Sequence, residues 1–309
     1  MYLQDTPFAS TRMVTDQPLA ALIARAESGF DSIELHSMSH FPRRFVGDIE
    51  QHCGGLWYPE KFSPFDGCTK YRMWLHQPRR EAIEALSGHD CVVTKVQVCL
   101  DLLTRSRQDA QLLHGIMTRH IRTKAKATEP SVQYKNTTYF NFDRKHGPRK
   151  NLLAYSDRQS KIAPRWSCTH VELRIVGSKH LDAAGIRHQD GLLNLDHRAF
   201  WEENIHLVDI PSAEEMGQEW CRHFEKAREG KSRRFPYGTR VNSIRRMGHS
   251  FERMVALHDS GYFRAHDLEY ILRSYNVFGG KLPSHLFPRV RVESILPGHE
   301  NGFWRKSLG

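Results

Sequence analysis

The sequence predicts an α+β fold, in which a mainly antiparallel sheet carries the active face, helices pack on the other side and the C-terminal part is helical. Two segments, at 92–103 and 166–177, alternate apolar and polar residues with the period of a β-strand. Segments with helical spacing dominate after Gly177. Strands that come before a run of helices are typical of the α+β class.

Shorter elements are predicted before the first of these strands. Apolar spacing predicts a helix over 16–28, and a short apolar run predicts a strand over 32–36. The segment 54–77 is rich in aromatic and turn residues, which predicts a hairpin. A helix over 79–86 is expected to end at Gly88, because glycine commonly follows the last helical turn.

The rest of the chain predicts one more β block and then helices. A helix over 106–123 precedes strand-like segments at 132–143 and 152–157. Further helices are predicted at 178–184, 192–205, 213–228, 241–257 and 265–275. We therefore divide the chain into an α+β domain, 1–210, and a mainly helical, basic extension, 211–309.

Composition favours a polyanionic partner. The 309 residues carry a formal charge of +10, and nucleic acid is the simplest partner for such a balance. Six cysteines without a CxxC pair resemble neither a zinc ribbon nor a dense disulfide framework. Since no stretch has the length of a membrane span and no signal peptide is seen, we expect a cytoplasmic protein with no membrane partner.

The polar faces of the two strands combine groups that suit phosphodiester chemistry. One face of the 166–177 strand carries His170, Glu172 and Arg174. Asp101 ends the apolar run of the 92–103 strand, where a carboxylate is costly unless it is paired or bound to a cation. If the strands are neighbours, Asp101 and Glu172 converge on one divalent ion, and oxygen ligands favour Mg²⁺ or Mn²⁺. The alternative is an ordinary strand with a solvated polar face.

Two basic segments are candidate DNA contacts. The loop 144–150 and the segment 226–246 concentrate Lys and Arg, and aromatic residues lie among the cations of the second segment. The residues we select are Arg144, Lys145, Arg149, Lys150, Arg233, Arg234, Arg245 and Arg246. The alternative is that both segments are only solvated.

Four blocks in this order resemble the replication initiation factors of plasmids and filamentous phages, which are rolling-circle initiators related to conjugative relaxases. The blocks are Lys-Val-Gln-Val-Cys-Leu-Asp at 95–101, Thr-Thr-Tyr-Phe-Asn-Phe-Asp-Arg at 137–144, the Tyr-containing segment 152–161, and His-Val-Glu-Leu-Arg-Ile at 170–175. A short Leu-containing helix ending at Gly185 follows the last block, as in that family. The similarity covers roughly residues 90–190.

Three positions depart from the family pattern. Gln97 and Ser156 stand where the family has Asp, and His170 replaces an Arg. The missing carboxylate at Gln97 bears directly on the metal site. Asp101 and Glu172 remain as oxygen ligands, and His170 is a candidate nitrogen ligand.

The resemblance implies a tyrosine that nicks one DNA strand, keeps the 5′ phosphate as a covalent intermediate and releases a 3′ hydroxyl primer. Tyr155 is the first candidate nucleophile, with Tyr139 second and Tyr134 third. The residues expected to hold the scissile phosphate are Arg158, Lys161 and Arg174. A divalent metal on Asp101, Glu172 and His170 would polarise that phosphate.

Partners and alternatives follow from the same resemblance. The implied partner is replication-origin DNA, single- and double-stranded, with a host helicase as a further candidate; the oligomeric state stays open. Gln97 favours a second hypothesis, a catalytically inactive DNA-binding protein such as a repressor or origin-binding factor. A third, an RNA-binding module, would require aromatic residues on an exposed sheet face.

Overall fold

The computed structural model describes residues 19–58, 62–65, 68–124, 130–141, 150–211, 215–219, 221–222, 264–274 and 289–290. It confirms the α+β fold and the antiparallel sheet. None of the helices in these ranges combines the length and apolar character needed to cross a bilayer.

Twelve strands and eight α-helices have both ends within the described residues, and residues 215–219 and 221–222 are also helical. The strands are β1 (Arg25–Ser37), β2 (Gly55–Trp57), β3 (Phe62–Phe65), β4 (Cys68–His76), β5 (Val92–Thr104), β6 (Ile121–Thr123), β7 (Val132–Tyr134), β8 (Thr137–Phe140), β9 (Lys150–Tyr155), β10 (Ser167–Val176), β11 (Ile205–Val208) and β12 (Arg289–Val290). The helices are α1 (Leu19–Leu22), α2 (Arg43–Glu50), α3 (Arg80–Ala85), α4 (Arg107–His120), α5 (Ser178–Ala183), α6 (Gln189–Leu193), α7 (His197–Asn204) and α8 (Ala265–Ser274).

The large sheet has the order β2–β4–β1–β5–β10–β9–β8–β7, and β3 also pairs with β4. Neighbouring strands pair antiparallel throughout this path. A second, three-stranded sheet consists of β6, β11 and β12. The two strands with the clearest alternation in the sequence, β5 and β10, are therefore direct neighbours at the centre of the large sheet.

The apolar face of β5 and β10 forms the core under helix α4. Val96, Val98 and Leu100 pair in register with residues of β10 and are almost completely buried. On this face, the Thr169 hydroxyl donates a hydrogen bond of 2.8 Å to the carbonyl of Ala110 in α4. Because strand side chains alternate, the residues between them lie on the opposite face, which we call the polar face.

The N-terminal helix predicted over 16–28 is wrong beyond Leu22. The described helix is only α1, and the chain enters β1 at Arg25, well before the predicted strand over 32–36. β1 pairs with β4 on one side and β5 on the other. This pairing with distant segments outweighs the weak local helical pattern.

The helix predicted over 192–205 is two helices, α6 and α7, followed by strand β11. The Asp196 carboxylate accepts a hydrogen bond of 3.0 Å from the Ala199 backbone amide, and so caps the start of α7. From the region after residue 210, α8 contacts β6, where Arg122 and Glu269 form a 2.8 Å ion pair. The proposed division at 210/211 stays a prediction.

Candidate active site on the polar face of the sheet

Three strands bring Asp101, His170 and Tyr155 into one row. In the observed register, Asp101 of β5 lies opposite His170 of β10, which lies opposite Tyr155 of β9. The imidazole and phenol rings stack with centroids 4.5 Å apart. Groups separated by up to 69 positions in the sequence thus form one contiguous cluster on the polar face.

His170 is the centre of this cluster. Its Nδ1 lies 2.5 Å from Oδ1 of Asp101, and its Nε2 lies 3.9 Å from Oε2 of Glu172. Burial lowers the pKa of His170, but the neighbouring carboxylates of Asp101 and Glu172 outweigh burial and raise it to about 9. At neutral pH the ring is therefore an imidazolium that donates from Nδ1 to Asp101.

Asp101 is fully engaged by internal partners. It is completely buried, with one carboxylate oxygen bound to His170 and the other accepting a hydrogen bond from the Ser160 hydroxyl. Ser160 Oγ also accepts a 2.8 Å bond from the Ala163 amide, which fixes the loop that carries it. Asp101 is thus placed to orient the His170 ring.

Glu172 and Arg174 continue the polar face along β10. Glu172 is buried and diagonal to Asp101, because it pairs with Cys99 in the register. Nη2 of Arg174 donates a 3.3 Å hydrogen bond to Oε1 of Glu172. The structure thus places the three residues selected in β10 on the same face as Asp101.

The loop between β9 and β10 adds an ion pair that the sequence did not predict. Lys161 Nζ lies 2.8 and 3.0 Å from the two carboxylate oxygens of Asp31, and Gln77 donates to the same carboxylate at 3.0 Å. Burial raises the pKa of Asp31, but hydrogen bonds from Lys161 and Gln77 and the charge of Lys161 lower it overall. Asp31 is therefore an additional carboxylate beside the predicted site.

Asp31 reaches this position through a register shift in β1. The pairing with β5 jumps from Phe30 to Ser32, so Asp31 is the extra residue of a β-bulge. The sequence signal is an acidic residue between Phe30 and the apolar alternation of Ile33 and Leu35. Alternation alone does not predict a bulge, so the strand pattern does not identify Asp31 as a site residue.

Tyr155 is held as a neutral phenol in this arrangement. Burial, followed by the charges of Asp31, Glu172 and Asp101, raises its pKa well above the usual value. The Arg158 guanidinium lies 5.8 Å from the ring centroid and has the opposite, weaker effect.

The other two candidate tyrosines lie further along the same face. Tyr139 pairs with Leu153, one row away from Tyr155. Tyr134 is at the sheet edge and 63% exposed. Tyr155 is therefore the candidate that contacts the acid–imidazole cluster directly.

Gln97 takes a structural role where the resembled family has Asp. Its side-chain oxygen accepts a hydrogen bond from the Ser32 hydroxyl, which links β5 to β1. It also pairs in register with Arg174. A neutral amide at this point leaves the negative charge of the site to Asp31, Asp101 and Glu172.

The donor set fits a metal ligand pair that differs from the predicted one. Within the part of the chain that the structure describes, buried Nε2 of His170 has no hydrogen-bond partner, while Asp101 holds the other ring nitrogen. A carboxylate on the second nitrogen is typical of a metal-binding histidine. His170 and Glu172 are thus the residues that would hold a cation, with Asp101 orienting the ring. The described residues contain no ready-formed group of three or more His, Cys, Asp or Glu for a metal.

Most of the predicted DNA-contacting residues lie outside the described ranges. These are Arg144, Lys145, Arg149, Arg233, Arg234, Arg245 and Arg246. Lys150 begins β9, and only its backbone is described.

Comparisons with family models, curated proteins and solved structures found no match. Function therefore rests on the geometry of the polar face.

Proposed function

We propose that this protein nicks DNA at a replication origin, with Tyr155 as the nucleophile. The observation that carries the proposal is the row Asp101–His170–Tyr155, with Glu172 beside it and Arg158 over the phenol. Attack of the phenol oxygen on phosphorus forms a phosphotyrosyl bond and breaks the bond to the leaving 3′ oxygen. The phenol loses its proton and the leaving oxygen gains one, which gives a 3′ hydroxyl that primes synthesis. The protein would work in the cytoplasm on single- and double-stranded origin DNA, with a host helicase as a further partner.

Three cations at the rim would bind the scissile phosphate. Arg158 is exposed, and the side chains of Lys161 and Arg174 are 35% and 26% exposed. Lys161 and Arg174 already pair with Asp31 and Glu172, so both are fixed in position before DNA arrives. A fixed cation loses less side-chain entropy when it binds a phosphate oxygen.

The protonation states of His170 and Tyr155 set the chemical requirement. The phenol must lose its proton to attack, and the surrounding carboxylates oppose that loss. A Mg²⁺ or Mn²⁺ ion bound by His170 and Glu172 would supply positive charge that polarises the phosphate and favours the phenolate. Because the ion and a proton compete for Nε2 of His170, we expect metal affinity to rise with pH toward about 9.

The test is covalent adduct formation on supercoiled origin DNA with Mn²⁺. Tyr155→Phe removes only the hydroxyl, so we expect DNA binding to survive and the adduct to disappear. Tyr139→Phe is the matched control on the same face and should retain the adduct. Glu172→Gln should lose activity that excess Mn²⁺ partly restores, whereas no metal restores Tyr155→Phe. An adduct with Tyr155→Phe but not with Tyr139→Phe would assign Tyr139 as the nucleophile.

A second candidate function is DNA binding without catalysis. It is favoured by the internal pairing of Asp101, whose two oxygens already have partners, and by the Gln97–Ser32 hydrogen bond. A wild-type protein that binds origin DNA and never forms an adduct would establish this function instead.

The basic extension gives an independent prediction about DNA affinity. Replacing Arg233, Arg234, Arg245 and Arg246 with Ala should weaken binding to any sequence and flatten its salt dependence. Each lost phosphate contact should reduce the log–log slope by about 0.9 on duplex DNA. An unchanged slope would show that the segment is only solvated.

A further inference from the structure

The polar face carries a stacked tryptophan pair, with an exposed outer ring and a half-buried inner ring, at the sheet edge farthest from Tyr155. Trp57 of β2 and Trp74 of β4 are register partners and stack with centroids 4.4 Å apart and an interplanar angle of 24°. Trp57 is 46% exposed. Trp74 pairs with Glu34, and Glu34 pairs with Lys95, so the tryptophans share the face of Asp101.

The inner ring of this pair is fixed in position by polar contacts. The Arg72 guanidinium lies 5.1 Å from the Trp74 ring centroid, and its Nε lies 3.1 Å from Oε1 of Glu34. Burial raises the pKa of Glu34, but hydrogen bonds from His36 and Trp74 and the charge of Arg72 lower it overall. A charged carboxylate thus holds both the indole and the guanidinium, and Trp57 covers them as the outer ring.

Aromatic–cation pairs recur around the same face. Lys135 lies 5.5 Å from the Tyr134 ring, and Arg25 lies 5.9 Å from the Trp166 ring. Tyr134 is 63% exposed and Trp166 is 39% exposed. Exposed rings beside cations suit a ligand that offers flat faces and negative charges alternately, and single-stranded nucleic acid is such a ligand.

We propose that Trp57, Trp74 and Arg72 form a stacking site for an unpaired base of single-stranded DNA, away from the scissile phosphate. β4 is three strands from β10, which is about 14 Å at a spacing of about 4.8 Å per strand. The base stacks on Trp57, and Arg72 and Lys95 attract the sugar–phosphate chain. This proposal rests on DNA as the substrate, but it does not require nicking.

Binding of a ten-residue oligothymidylate tests the site, with fluorescence anisotropy as the measurement. Trp57→Ala should weaken binding about tenfold, because it removes the outer ring on which the base stacks. Trp57→Phe should recover most of the loss. Leu112→Ala is the matched control, because Leu112 is also exposed but belongs to helix α4 on the opposite layer.

Two further probes separate base stacking from charge. Wild type and Trp57→Ala should bind an abasic oligomer of the same length with equal affinity, because it has no base to stack. The two proteins should also bind a blunt duplex with equal affinity, because its bases are paired. The salt slope should not change in Trp57→Ala, because tryptophan contacts no phosphate. Equal affinity of Trp57→Ala and wild type for oligothymidylate overturns the proposal, and at least tenfold tighter binding of oligouridylate overturns the assignment to DNA.

The outcomes also separate this proposal from the nicking function. If wild type forms no adduct but Trp57→Ala still loses single-strand affinity, the stacking site stands and the nickase does not. If adduct formation depends on Tyr155 while Trp57→Ala binds normally, the nickase stands and the stacking site does not.

Discussion

The two faces of the large sheet bury histidines in opposite charge states. His170 on the polar face and His197 on the core face are each 2% exposed. The carboxylates beside His170 raise its pKa to about 9. His197 lies against the Ser28 hydroxyl at 2.8 Å, and burial lowers its pKa to about 4. Equal burial thus gives an imidazolium on one face and a neutral ring on the other. Asp101 and Glu172 outweigh burial at His170, whereas the charge of Asp196 does not outweigh it at His197.

The comparison also shows where this fold accepts internal charge. Three buried carboxylates, from Asp31, Asp101 and Glu172, lie on the polar face beside His170 and Lys161. On the core face, Ser28 satisfies both His197 and the indole of Trp201 with one neutral hydroxyl. Buried Glu269 of α8 is likewise paired, with Arg122 and Arg273. Because buried charge is costly unless it is paired, the cluster of three carboxylates makes the polar face the candidate site.

Breaking the pair on the polar face should have the largest effect on stability. Asp101→Ala leaves His170 and Ser160 without their partner, and we expect a loss of about 3–5 kcal/mol in the free energy of unfolding. Urea denaturation measures the loss. Asp182→Ala is the control, because its ion pair with Arg187 is exposed, and it should cost at most about 1 kcal/mol. Equal losses in the two variants would contradict the buried pairing.

The opposite pKa shifts predict stability losses in opposite pH windows. The folded state favours the charged form of His170, so its contribution is complete below about pH 6.5 and is lost as pH rises through about 9. The folded state favours the neutral form of His197, so its contribution is complete above about pH 6.5 and is lost as pH falls toward about 4. Each contribution is about 3 kcal/mol.

Urea denaturation across pH separates the two histidines. His170→Gln should flatten the alkaline side of the stability profile and leave the acid side unchanged. His197→Gln should do the reverse. If both variants changed stability on the same side of the pH profile, the two histidines would not have opposite charge states at neutral pH.

Removing the neutral partner on the core face should have the smallest effect. Ser28→Ala removes the hydroxyl that contacts His197 and accepts a 2.9 Å hydrogen bond from Trp201, at a cost of about 1–2 kcal/mol. Thermal or urea unfolding at pH 7 provides the measurement. A loss as large as that of Asp101→Ala would show that charge does not set the difference between the faces.

The local sequence pattern predicted strands β5 and β10 but only part of β1, the other neighbour of β5. β5 alternates over 95–101 and β10 over 170–175, and their observed ranges lie within a residue of the predicted ones. β1 was missed over its first half because Ser28, Gly29 and Asp31 weaken the alternation. Its strand structure comes from pairing with β4 and β5, which no local window contains.

The residues of the candidate site also divide into those that the local sequence pattern predicted and those that depend on distant pairing. His170 and Glu172 were predicted because they alternate with apolar residues on one strand, and Asp101 because a carboxylate ended an apolar run. The Asp31–Lys161 ion pair joins a bulge to a loop 130 positions away, and no local pattern predicts that pairing. The Trp57–Trp74 stack likewise depends on the register of two strands that were predicted only as a hairpin.

Because Asp31 is the extra residue of the bulge in β1, it can be deleted from the sequence without changing the face on which the other side chains of the strand lie. Phe30 and Ile33 are both buried on the core face, although three positions apart, because Asp31 is the additional residue between them. Without Asp31, Phe30, Ser32 and Ile33 would alternate regularly, and every other side chain would keep its face. Gain or loss of one codon would therefore add or remove a site carboxylate while the core stays intact. Chemistry at this position can therefore change while the core pattern is kept, and the cost falls on Lys161 and Gln77, which lose the carboxylate that they bind.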